Sequence, residues 1–120
     1  MLESFKMVKD IVKILDDKKA QKIEVIKLAD ITSLADYFVI CTGTSSTHVK
    51  TLADEVDEKI DAAGKLTYHK EGYQSASWVL LDYGDVVVHV FYGEAREFYN
   101  LEHLWSDGEQ INVDTILKGE

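Results

Sequence analysis

Two apolar runs, Ser77–Tyr83 and Val86–Tyr92, are separated only by Gly84-Asp85, and nothing else in the chain restricts its fold so tightly. Two strand-forming runs joined by two residues predict a β-hairpin, and glycine in the first turn position suits a type II′ turn. Such a turn admits one register. Tyr83 opposes Val86, Leu81 opposes Val88 and Val79 opposes Val90 on one face; Asp82 opposes Val87, Leu80 opposes His89 and Trp78 opposes Phe91 on the other. The first set is almost wholly aliphatic and predicts the face packed against helices. The second mixes large apolar groups with a carboxylate and an imidazole. Its aromatic residues resemble the centre of a protein interface, with Asp82 placed on the rim to meet a basic partner. The pattern alone leaves two other covers open: a helix of the same chain, or a second copy of it.

The remaining elements follow from periodicity. Phe5, Val8, Ile11, Val12 and Leu15 predict an amphipathic helix over 4–19. Ile23 to Leu28 reads as a strand, Ala29 to Ala35 as a loop, and Tyr37 to Cys41 as a central strand covered on both sides. Gly43-Thr44-Ser45-Ser46 supplies a turn and an N-cap for a helix over 46–63. Its apolar stripe is Val49, Leu52, Ala53, Val56 and Ile60, and Gly64 stands where a C-terminal glycine belongs. Leu66 to His69 reads as a further strand, and 94–104 as a third helix built on Phe98, Leu101 and Leu104. The predicted order is α-β-β-α-β-β-β-α: an α/β (α+β) domain with a mixed sheet of about five strands and packed helices.

One domain is expected over residues 1–105, with a tail at 106–120. A hydrophobic fraction of 46% excludes a disordered chain, and no apolar run reaches the ~18 residues of a membrane span. The first residues lack a secretory-signal pattern, and a single cysteine, Cys41, precludes an internal disulfide. Both point to a cytoplasmic protein. Lys and Arg number 13 against 22 Asp and Glu, for a net charge of -9 and no basic stripe. Nucleic-acid binding without sequence preference rests on cations that neutralise phosphates. This chain is therefore a poor direct binder of RNA, and beside nucleic acid its expected contact is a basic protein.

Catalytic constellations are weak. The Gly43–Ser46 turn lies where anions are held at a helix start, yet it lacks the lysine and spacing of a phosphate loop. Nucleotidyltransferases follow such a turn with a strand bearing two carboxylates for magnesium. Here Asp54, Glu55, Asp57 and Glu58 fall on the second helix, and Asp82 and Asp85 straddle a tight turn. His48, His69, His89 and His103 are dispersed without zinc-ligand spacing, so neither metal nor cofactor is expected. Ser45, His48 and Asp54 would form a triad by adjacency alone, which carries no geometry. His89 reads as an interface or packing imidazole rather than a general base.

Three blocks, Asp36–Val49, Trp78–Phe91 and Phe98–Trp105, resemble the ribosomal silencing factor (Iojap-like) family, in order and at family spacing. The resemblance covers residues 4–105. It implies a nucleotidyltransferase-like fold without catalytic carboxylates, and a non-enzymatic repressor of translation. It further implies binding to large-subunit ribosomal protein L-fourteen, a block on joining of the small subunit when nutrients run short, and a homodimer. Trp78, Leu80, Asp82 and Phe91 fall where the family places its ribosomal contact face, with Asp85, His89 and Glu71 as further members. A residual nucleotide-binding module and a purely self-associating protein are the competing readings.

Overall fold

The computed structural model describes residues 2–28, 35–64, 69–93 and 109–118. In chain order the elements are α1 (Leu2–Asp17), β1 (Gln21–Lys27), β2 (Tyr37–Gly43), α2 (Ser46–Ala62), β3 (His69–Glu71), β4 (Trp78–Asp82), β5 (Val86–Tyr92), β6 (Glu109–Ile111) and α3 (Val113–Leu117). The expected loop at 29–34, the start of the strand at 66–68 and the helix at 94–104 lie outside the described residues.

The six strands form one mixed sheet in the order β3-β4-β5-β2-β1-β6. Among the described residues only the central pair, β2 with β5, is parallel, running from Tyr37 opposite Val86 to Gly43 opposite Tyr92. The expected hairpin register holds at each of the five pairs from Trp78 with Phe91 to Asp82 with Val87. At its tip Tyr83 N–H donates to the Val86 carbonyl, and Gly84 takes φ +87°, a left-handed value that a side chain would strain. The expectation of about five strands falls one short. Glu109–Ile111 pairs antiparallel with β1, so part of the expected tail is an edge of the sheet. Two of its three residues are exposed and polar, and strand-like alternation is too brief there to register in the sequence.

The helices lie together on one face. Met7, Val8, Ile11, Val12 and Leu15 of α1 and the α2 stripe of Val49, Leu52, Ala53, Val56 and Ile60 close over Val79, Leu81, Tyr83, Val86, Val88 and Val90. Ile116 of α3 joins the same core. The α2 stripe is the predicted one, and the predicted cap is met by Ser45, whose hydroxyl accepts from His48 N–H at 3.0 Å. A second, smaller core occupies the opposite face: Ile26, Leu28, Ile40 and Phe91, with Phe38 and Trp78 packed against it.

Candidate protein-docking face

Strand alternation delivers to this second face Trp78, Leu80 and Asp82 from β4 and Val87, His89 and Phe91 from β5. The face divides by depth. Phe91 is fully buried and His89 only 3% exposed, whereas Trp78, Leu80 and Asp82 are half-buried. Phe91 and His89, expected as partner contacts, are therefore sealed beneath the surface. Trp78 lies over Phe91 and Phe38 over His89, whereas β3 pairs with β4 only from Leu80 to Asp82 and stops short of Trp78. Trp78 stacks on Phe91 with centroids 5.2 Å apart, and Phe38 meets His89 edge-on at 4.6 Å.

The remaining expected members sit at the margins. Glu71 lies opposite Leu80 on β3, exposed, its carboxylate 3.1 Å from His69 Nε2. Asp85 is exposed at the hairpin tip rather than on the face, and its carbonyl accepts from Asp36 and Tyr37 N–H, tying the turn to β2. Asp82 Oδ1 accepts from Gly84 N–H at 2.8 Å, which anchors the carboxylate at the rim. Two neighbours went unforeseen. His69 opposes Asp82, but three exposed polar residues, His69-Lys70-Glu71, carry no register signal in sequence. Phe38 was legible as apolar; its edge contact with His89 depends on the β2–β5 pairing, which no local pattern reveals.

Under the rim, Trp78 Nε1–H donates to His89 Nδ1 at 3.0 Å. Indole nitrogen is only a donor, so Nδ1 must be the unprotonated nitrogen and Nε2 carries the hydrogen. Burial lowers the His89 pKa from 6.5 to about 4, which keeps the ring neutral. Buried Nε2 finds no hydrogen-bond partner among the described residues. Leaving such a donor unpaired costs about 1–3 kcal/mol.

The segment leading into β4 is fixed against α2. Gly72 has φ +78°, and a Cβ there would stand 2.0 Å from the Trp78 carbonyl oxygen. Tyr73 OH donates to Asp54 at 2.9 Å, and Lys50 and Lys70 lie over the Tyr73 ring. The Asp54 bond raises the Tyr73 pKa, since the phenol donates to an anion. Asp57 receives Tyr83 OH at 3.2 Å and lies 3.8 Å from Lys70 Nζ. Two of the α2 carboxylates thus serve to hold the molecule together.

The other constellations resolve as scaffold. His48 Nδ1 accepts from Thr44 N–H at 2.9 Å while Nε2 donates to the Lys18 carbonyl at 2.8 Å. That imidazole bridges the start of α2 to the end of α1, and Ser45 is occupied as the cap, so Ser45, His48 and Asp54 form no catalytic relay. Cys41 is buried in the helix-side core. A groove of about 300 Å³ between α1 and α2, lined by Asp10, Lys13, Ile14, Lys59, Ile60 and Ala63, lies on the layer opposite the docking face. No helix among the described residues is long and apolar enough to cross a membrane.

The family profile described as "Ribosomal silencing factor during starvation" matches residues 2–120. The Bacillus subtilis protein named ribosomal silencing factor RsfS is 43% identical over 99 residues, 82% of this chain and 84% of its own. Its namesake from Halalkalibacterium halodurans is 40% identical over 103 residues, covering 86% and 88%. A crystal structure of a Chromobacterium violaceum protein superposes with a TM-score of 0.82 at 36% identity, over 89% of this chain and 88% of that one. With the profile spanning the sheet, both large helices and the aromatic face, the chain belongs to the ribosomal silencing factor family.

Proposed function

We propose that this protein represses translation without catalysis, by seating the Trp78–Leu80–Asp82 edge on the basic large-subunit protein L-fourteen and so occupying space the small subunit needs. The observation that carries this reading is the half-buried indole of Trp78. It is stacked on Phe91, and two carboxylates lie farther along the same face, Asp82 four residues on in β4 and Glu71 opposite Leu80. A rigid aromatic with one side outward is the form of an interface hot spot, and flanking acids complement a cationic neighbour. The net charge of -9 favours protein over phosphate as the direct contact. Ribosome association and a regulatory role in translation follow from family membership; the partner, the steric block, a cytoplasmic setting and pairing of two copies belong to the proposal.

Retention of purified L-fourteen by immobilised wild type, Trp78→Ala and Leu80→Ala tests it. Wild type retains L-fourteen, and Trp78→Ala loses about 30-fold or more in affinity, the equivalent of ~2 kcal/mol for a central tryptophan. Equal retention by all three defeats the reading. A parallel sedimentation assay, with large subunits preloaded with the protein and then mixed with small ones, checks the steric block: joined ribosomes forming as readily as in its absence would overturn it.

A further inference from the structure

We propose that His89 is a positioning residue for docking: by accepting the Trp78 indole hydrogen it fixes the orientation in which Trp78 is presented to the partner. The inference rests on the docking role of Trp78 and assigns His89, which the surface cannot reach, a part in it.

Three contacts define the geometry. The indole lies on Phe91 with an interplanar angle of 22°, which fixes the plane of the ring but not which edge a flip about χ2 turns inward. The hydrogen bond from Nε1 to His89 Nδ1, at 3.0 Å, selects the edge that carries the N–H. Phe38, edge-on at 4.6 Å, and burial in turn hold the imidazole. Trp78 and His89 are diagonal neighbours across the hairpin, since Trp78 pairs with Phe91 and His89 with Leu80. Without the acceptor, the half-buried indole would lose the hydrogen bond that turns its N–H edge inward. Stacking supplies area; the hydrogen bond supplies direction.

The arrangement requires one specific form of the ring. Nδ1 must be bare and Nε2 protonated, so both the imidazolium and the opposite tautomer are incompatible with it. An asparagine carboxamide at position 89 can put its oxygen near where Nδ1 stands, whereas leucine fills the space with no acceptor. A packing role distinguishes leucine from asparagine in the opposite sense, because the apolar side chain suits a dry site better.

The experiment follows the indole Nε1–H resonance, identified among the two tryptophans by its loss in Trp78→Phe, in wild type, His89→Leu and His89→Asn. Wild type shows a hydrogen-bonded indole proton that exchanges slowly with water. His89→Leu is expected to move the resonance and quicken its exchange about tenfold, and His89→Asn to restore most of both. Affinity for L-fourteen should follow the resonance, roughly tenfold weaker in His89→Leu and recovered in His89→Asn, whichever variant is the more stable. An indole signal unchanged in His89→Leu, or the same affinity in His89→Leu and His89→Asn, overturns the proposal. Isotope-labelled histidine in the native chain gives a check that needs no variant: a hydrogen on Nδ1 at neutral pH would also overturn it. Failure of the docking reading looks different, since Trp78→Ala would then bind as well as wild type while the indole resonance still responded to position 89.

Discussion

The two faces of the sheet are built from the same strands by different means. The helix side is filled by Val79, Leu81, Val88 and Val90 against Leu52, Val56, Ile11 and Leu15, groups that need only volume and shape. The opposite side holds Trp78, Phe91, Phe38 and His89, whose places depend on ring angles and one hydrogen bond. The second presents a defined edge outward. The larger core lies on one side and the ring-to-ring geometry on the other, so only substitutions on the second should also move the Trp78 indole.

The largest stability effect should come from breaking the aliphatic side. Leu52→Ala is expected to destabilise by about 2–5 kcal/mol in denaturant unfolding, since Leu52 is fully buried beneath α2 and its removal leaves a cavity. The aromatic side answers instead to pH. The folded His89 resists protonation down to about 4 while the unfolded ring protonates near 6.5. Above 6.5 the two states bind equally few protons. As pH falls from 6.5 to about 4 the unfolded chain takes up a proton that the folded one refuses, so stability declines across that window. The decline should approach about 3 kcal/mol, and the wild type minus His89→Leu difference in unfolding free energy isolates it. A difference that stays flat across the window removes the burial argument.

Gly72→Ala sharpens the contrast at a smaller scale. A left-handed φ of +78° and a Cβ that would stand 2.0 Å from the Trp78 carbonyl together predict a loss of about 2 kcal/mol. They also predict a displaced Trp78 indole resonance; an unchanged one would mean that the loop, and not β4, absorbs the strain. Smallest is Ser45→Ala, expected to cost about 1 kcal/mol by removing the acceptor for His48 N–H at the start of α2. That variant should leave the Trp78 resonance where it is, because the cap lies on the helix layer.

Legibility in the sequence followed the same division. The hairpin register was readable because a two-residue turn permits no other, and the α2 stripe because five apolar residues recur at helical spacing over seventeen residues. Which residues of the aromatic face would be sealed was not readable. Alternation assigns Phe91 and Trp78 to one side, but only the assembled sheet stacks Trp78 over Phe91 and ends β3 short of Trp78. The same limit hid the contribution of His69 from β3 and the pairing of β6 with β1. Both strands are three residues long and largely exposed, and their partners are chosen by sheet edges that exist only after the rest has folded.

The parallel seam between β2 and β5 has a consequence for how the chain is made. About 50 residues separate Tyr37 from Val86, so β1 and β2 leave the synthesising ribosome well before the strand that completes them. Until β5 arrives, β2 offers the apolar run from Tyr37 to Cys41 with one backbone edge bare, a template for stray pairing. Slow translation between residues 44 and 85 would prolong that interval, making yield of folded protein sensitive to the pace of its own synthesis.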